Sequence, residues 1–306
     1  SQMLTLYTTP VVFLYLDRDA SGNYSTGDTV FTGARVALLA PGGRDTIRVA
    51  ISSVQGVATF DSVPVGTYRV AVDRLALGDS IATVEGDTGT IRLLGQPDSI
   101  LAARAVRLAF QEVTLAQARA LPAGRRVVVR GRVLSALQYF RDSTAFLKDA
   151  TGYLRITGAR HRPGRTGNNV GDSVSVLGTT GADKGQPVLI NGLFGTLAEG
   201  PAPVPVAVSV AEVATAKGGT LDAALVRVTG AKISDTMTTL PDYLVRIADA
   251  GNAATLADVV IDSLIPVPAG LFRPGLTISA TGVLVPRGNG TWILKPRGGG
   301  DVTLAP

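Results

Sequence analysis

The stretch from Asp17 to Asp28, DRDASGNYSTGD, places oxygen-bearing side chains at Asp17, Asp19, Ser21, Asn23, Ser25 and Asp28, with Gly22 in sixth position. Alternating oxygens closed by a twelfth-position carboxylate, with a glycine where the chain turns sharply, is the spacing that wraps calcium. Here aspartate replaces the longer glutamate at the close. That shortens the reach and implies the weak affinity of an extracellular module. The same composition suits a hairpin turn whose Asp and Ser side chains bond their own backbone. Structural calcium is the expectation, and the turn is its alternative.

Other reactive chemistry has few candidates. His161 is the only histidine and there is no cysteine, which excludes thiolate metal sites and a disulfide framework. No Gly-x-Ser-x-Gly elbow accompanies that histidine, and the glycines of PRGGGDV close a strand pattern instead of opening a helix. Asp142 and Asp149 have nothing in the pattern to hold them as a hydrolytic pair. The chain reads as a non-enzyme.

Helical periodicity is confined to Leu115 to Leu121 and Val210 to Ala216. Elsewhere short runs rich in Val, Ile, Thr and Leu, such as RVVVRGRVLS, DSVSVLGTT, ALVRVTGAKI and LTISATGVLV, are cut by Gly, Pro, Asp and Asn at strand spacing. At 306 residues the chain is long enough for several cores. The expected division is an all-β series of residues 1–110, 111–203 and 204–306, the first carrying the candidate calcium loop. No apolar run approaches the roughly 18 residues of a membrane span.

In the first of these, Gly56-Val57-Ala58-Thr59-Phe60 followed by Val63-Pro64-Val65-Gly66-Thr67-Tyr68-Arg69-Val70 resembles the hairpin of prealbumin-like and B-repeat domains of bacterial surface proteins. The resemblance implies an Ig-like sandwich with Tyr68 and Val70 facing the core, and calcium loops occur in such domains. The second and third regions repeat one order: a short helical piece, a Gly-punctuated strand pair, an Asp-ended strand, a Gly-plus-strand element and a closing strand. This order, with the ending Trp292-x-Leu294-x-Pro296-Arg297-x-x-x-Asp301-Val302, resembles OB-fold modules of secreted bacterial nuclease-associated proteins. It implies two five-stranded Greek-key barrels in tandem.

Charge divides unevenly. Residues 1–110 carry 9 Lys/Arg and 10 Asp/Glu, residues 111–200 carry 12 and 6, and residues 201–306 carry 8 and 8, so the surplus of six positive charges lies in the first OB-like module. Arg155, Arg160, Arg162 and Arg165 surround a Gly/Asn/Pro loop, and Arg125, Arg126, Arg130 and Arg132 add a basic strand near Tyr139, Phe140, Phe146 and Tyr153. A basic groove with aromatic platforms is how OB folds hold single-stranded nucleic acid. Against this, Arg130 and Arg132 also fit the solvent-facing alternates of a strand whose valines fill a barrel, with the aromatics in the core.

Two functions follow as expectations. The first is a non-catalytic extracellular structural or adhesive protein, a filament subunit that joins copies of itself by strand addition through SQMLTLYTTP, with Leu4, Leu6 and Tyr7 at the contact. Because the chain opens at Ser1 without a basic-then-apolar leader, export followed by removal of a signal peptide is part of that expectation. The alternative is a module that binds nucleic acid or an anionic surface polymer through Arg155, Arg160, Arg162 and Arg165.

Overall fold

The computed structural model describes residues 6–18, 22–73, 77, 81–84, 88–93, 103–161, 168–239, 241–268 and 270–304. The fold is all-β, and the chain divides into two compact units, Ser1–Gln111 and Glu112–Pro306.

The first unit is a two-sheet sandwich. One sheet orders Thr90–Leu93, Gly66–Val72, Arg35–Leu39 and Thr46–Ile51; the other orders Thr29–Val30, Val11–Leu16, Ala103–Phe110 and Ile81–Thr83, with Val57–Thr59 also on Val11–Leu16. Period-two alternation sends Val12 and Leu14 of one sheet, and Val36, Leu38, Tyr68 and Val70 of the other, into the core. The Tyr68 hydroxyl donates to the Pro64 carbonyl at 2.8 Å, which satisfies its polar end. Gly56 is required twice over: its φ is +76°, and an added Cβ would lie 2.6 Å from the Leu14 carbonyl oxygen.

The N-terminal segment makes its described pairing within its own unit. Tyr7 and Thr8 pair antiparallel with Pro64 and Val63 of the same unit, and the Leu6 carbonyl accepts from the Val65 N–H at 2.9 Å. Leu6 and Tyr7 thus pair along one edge with their own unit, and Leu4 lies outside the described residues.

The second unit contains two barrels built alike. In the first, strands β1 (Arg126–Ser135), β2 (Ala145–Lys148) and β3 (Tyr153–Thr157) form an antiparallel meander, and β4 (Ser173–Asp183) returns against β1. Strand β5 (Gln186–Ala198) then pairs antiparallel with β4 and parallel with β3, closing the ring. In the second barrel β6 (Leu225–Thr239), β7 (Asp242–Ala248), β8 (Leu256–Ile261), β9 (Thr277–Pro286) and β10 (Trp292–Lys295) repeat the scheme, with the parallel closure between β8 and β10. Each first strand carries a register shift, between Val133 and Ser135 and between Ile233 and Asp235, where the strand bends round its barrel. This 1-2-3-5-4-1 pairing is the OB fold.

Inward alternates fill each barrel: Val127, Val129, Leu147, Leu154, Ile156, Val176 and Leu189 in the first, Val226, Val228, Val245, Ile247, Val259, Ile278 and Leu294 in the second. Two short helices, α1 (Leu115–Ala120) and α2 (Val210–Thr215), precede the barrels. Both begin with a reciprocal capping box, Thr114 with Gln117 and Ser209 with Glu212, which stabilises helices too short to persist alone. Leu115 and Ala118, and Val210 and Val213, are one face of each helix and join the barrel cores.

Close strand approach leaves no room for side chains at two matching positions. A Cβ on Gly282 of β9 would lie 2.5 Å from the Lys295 carbonyl oxygen, and one on Gly178 of β4 would lie 2.6 Å from Leu189 Cγ. Gly282→Ala should therefore destabilise the second unit by about 1–3 kcal/mol through overpacking. A lowered urea midpoint at unchanged slope checks it.

The barrels form one unit because they share a buried cluster. Leu134, Phe140 and Phe146 of the first pack on Ala223, Leu225, Val283 and Val285 of the second. Polar clasps surround this seam. Asp222, buried ahead of β6, accepts from Arg119 Nη1 of α1 and from Trp292 Nε1 of β10, each at 2.9 Å. Arg297 pairs two-pronged with Asp301, both contacts 3.0 Å, and its Nη1 donates to the Leu134 carbonyl of the first barrel at 3.0 Å. Arg297 and Asp222 thus reach across to the first barrel, held in place by Asp301 and Trp292.

Candidate functional site

Two surfaces of the second unit bring chemistry together. The first is a basic wall on the outside of the first barrel. With Val127, Val129 and Val133 turned inward, Arg126, Arg130 and Arg132 of β1 are the exposed alternates. Strand register sets Lys148 beside Arg132, and Thr179, Ser175 and Ser173 opposite Arg126, Arg130 and Arg132. The three arginines span about 20 Å at strand rise. Arg130 Nη2 reaches Glu112 at 3.0 Å with both side chains largely exposed, a pairing that water screens. Beside the wall runs a groove of about 630 Å³ whose opposite side is Leu197, Pro203 and the protruding Val204.

Asp149 also borders that groove and, being ionised, offsets part of its positive charge. Its carboxylate accepts from the backbone N–H groups of Leu115, Thr151 and Gly152 and from the Thr151 hydroxyl. Burial alone would raise this carboxyl, yet those bonds together hold it below the ordinary 3.8.

The second surface is a cleft of about 430 Å³ at the face of the first barrel that meets the second. The loop between β1 and β2 supplies Phe140, Asp142 and Thr144, β3 supplies Arg155 and Thr157, the β4–β5 turn supplies Asp183 and Lys184, and Val285 and Lys295 come from β9 and β10. The turns after the fourth strands of both barrels also meet here, a Cβ on Gly288 lying 3.6 Å from Lys184 Cβ. In OB folds this loop, the second and third strands and the fourth turn form the ligand face.

Arg155 corrects the expected open basic loop. Its side chain is only 4% exposed: Nη1 meets Asp183 Oδ2 at 2.6 Å and Nη2 donates to the Asp183 carbonyl at 3.0 Å. Arg160 is exposed in a two-residue strand, Arg160–His161, pairing parallel with Leu193 and Phe194, while Arg162 and Arg165 lie outside the described residues. Phe140 and Phe146, expected as stacking platforms or core, are core, edge-to-face at 5.9 Å. No sequence motif marks Lys148, because only strand pairing puts it beside Arg132.

In the candidate calcium loop, Asp17 Oδ2 accepts from the Gly22 N–H at 3.0 Å and lies 3.9 Å from Arg107 Nη1. Asp28 accepts through Oδ1 from the Arg18 N–H and through Oδ2 from the Ser25 N–H, both at 2.8 Å, and from the Ser25 hydroxyl at 3.2 Å. These are the bonds of a polar turn. Asn23 is described, whereas Asp19 and Ser21 lie outside the described residues. Among the described residues no group of three or more His, Cys, Asp and Glu is placed to hold a metal.

No protein-family model matches the chain, and no curated protein matches it in sequence. Among solved structures, a murine DNA-binding protein bound to double-stranded DNA is similar at 10% identity and a TM-score of 0.29, covering 58% of this chain and 97% of that one. The Bacillus anthracis TIE protein is similar at 10% identity and a TM-score of 0.25, over 96% of this chain and 49% of that one. A Drosophila Unr segment, CSD456, gives 11% identity and a TM-score of 0.20, over 90% and 98%. Overlaps this loose carry no functional weight, and the barrel assignment rests on strand pairing alone.

Proposed function

We propose that this chain is a non-catalytic binding protein whose first barrel holds an extended anionic polymer, single-stranded nucleic acid, along its basic wall. The observation that carries the reading is the alignment of Arg126, Arg130, Arg132 and Lys148 on one barrel surface, in the module with six surplus positive charges. Cations in a row neutralise successive phosphates and release their counterions. The Ser173 and Thr179 hydroxyls opposite them can donate to phosphate oxygens. The aliphatic side of the groove offers bases a surface without the edge-specific donors that read sequence, so binding is expected to be sequence-tolerant.

Fluorescence anisotropy with a labelled oligothymidine at several salt concentrations tests this. Affinity should fall with salt by a log–log slope of about 0.7 per phosphate contact, and the pair Arg130→Gln and Arg132→Gln should reduce that slope by roughly 1.4. Absence of binding at low salt, or a slope unchanged in the double variant, sinks the assignment. Binding of a sulfated glycan in place of the oligonucleotide would move the polymer class to anionic glycan.

A further inference from the structure

The second barrel has no surplus charge, yet its cations are unevenly committed. Residues 201–306 hold 8 Lys/Arg. Lys217 is paired with Glu212, Arg246 and Arg287 with Asp258, Lys295 with Asp262 and Arg297 with Asp301, and Arg273 donates to the Gly270 carbonyl of its own loop. Arg227 and Lys232 are left, and among the described residues neither side chain has an ion-pair or hydrogen-bond partner. Both are exposed residues of β6, whose Val226, Val228, Ala231 and Ile233 turn into the core. The register shift between Val228 and Ala231 inserts one residue, which keeps Arg227 and Lys232 on the same outward side despite their odd spacing. This repeats the wall on β1. In the first barrel Thr179, Ser175 and Ser173 of β4 face Arg126, Arg130 and Arg132, and in the second Thr281 and Thr277 of β9 face Arg227 and Lys232.

The segment between the barrels connects the two walls. Gly200 lies against Arg132, where an added Cβ would be 3.0 Å from Nη1. Pro203 and Val204 then line the groove of the first barrel, and Val206 and Ala207 pair parallel with Val226 and Arg227 of β6. The three steps from Val204 to Ala207 span at most about 11 Å and a strand neighbour adds about 4.8 Å, so the Arg227 backbone lies within roughly 16 Å of the groove rim. That is a short step for an extended polymer. We propose that Arg227 and Lys232 form a second phosphate-binding wall, and that a long single strand held on the first barrel continues onto it. The inference rests on the first wall being a nucleic-acid site. Because the shared buried cluster fixes the barrels to each other, a strand held on one is presented to the other at high effective concentration. Two cations extend the site, and a short strand stays on the first barrel.

Fluorescence anisotropy with oligothymidines of about 6 and about 20 nucleotides separates the walls, since one OB barrel covers roughly 4–16 nucleotides. Arg227→Gln together with Lys232→Gln should leave the affinity of the shorter oligomer unchanged and lower the log–log salt slope of the longer one by about 1.4. Between about 50 and 200 mM salt, the longer oligomer should therefore lose about sevenfold less affinity in the variant than in wild type. Both substitutions fall at exposed positions, and Trp292 fluorescence checks that the second barrel is folded. If it is not, wild type decides by itself: the slope for the longer oligomer must exceed that for the shorter by at least about 1.4. An unchanged slope for the longer oligomer in the variant, or equal losses at both lengths, overturns the second wall. In either case the first wall stands if the shorter oligomer binds and responds to Arg130→Gln and Arg132→Gln. If neither length binds, the first wall falls and the second falls with it.

Discussion

Replacing Phe146 by alanine should cost the second unit about 3–5 kcal/mol and uncouple its two barrels. The side chain is fully buried, yet it leaves β2 on the outer face of the first barrel and ends in the seam cluster with Leu225, Val283 and Val285. Truncation removes its edge-to-face partnership with Phe140 and opens a cavity where one barrel grips the other. Trp292, the only tryptophan, lies in the second barrel, so its fluorescence follows that barrel while far-ultraviolet circular dichroism follows the whole chain. In wild type the second unit should unfold as one, and its fluorescence transition should coincide with a step in circular dichroism. In Phe146→Ala the first barrel should melt at lower urea, ahead of the Trp292 signal. Coincident transitions in the variant, or a loss under about 1 kcal/mol, would show that the seam does not couple the barrels.

How far the sequence discloses this architecture follows from what is local and what is not. Strand alternation in RVVVRGRVLS places Val127, Val129 and Val133 inward and the arginines outward, and the barrel keeps that division because it depends on period two alone. Capping boxes at Thr114 and Ser209 are likewise local, and both helices start there. In YLRIT the same alternation directs Arg155 away from the core formed by Leu154 and Ile156, and it does point outward. It is nevertheless buried, since the outside of β3 is covered by the β4–β5 turn and faces the second barrel. Periodicity tells which side a residue faces and cannot tell what lies beyond. Leu6 and Tyr7 pose the same problem at a strand edge: an apolar extended segment looks the same whether its partner is Val63–Pro64 of its own sheet or a neighbour's. The Lys295–Asp262 pair, on which the cleft floor rests, joins residues that no motif connects.

That pair carries the other large effect. Asp262→Ala should destabilise the second unit by about 3–5 kcal/mol, because it strands the mostly buried Lys295 ammonium with only exposed Asp142, at 4.0 Å, for company. The companion change Lys295→Met in the same chain should recover most of the loss, since removing both charges leaves no ion to solvate and a side chain of similar volume over Phe140. Acid should act through the same carboxylate. Burial pushes the Asp262 carboxyl up, but the Lys295 ammonium and the backbone N–H groups of Leu264 and Arg141 together hold it below its ordinary 3.8; Asp258 is lowered likewise by Arg246 and Arg287 against its own burial. For a carboxyl lowered in the folded state, the unfolded chain binds protons first as pH falls. The stabilisation is therefore complete above the ordinary value and is lost as pH falls below 3.8 towards the folded values. Urea midpoints measured from pH 6 down to about 3 should drop steeply at the acid end in wild type and less steeply in the Asp262→Ala, Lys295→Met double variant, where Asp149, Glu212 and Asp258 remain to titrate but Asp262 does not. Equal acid slopes in the two proteins, or a single Asp262→Ala loss that Lys295→Met does not relieve, would remove the ion pair from the account of what holds the barrels together.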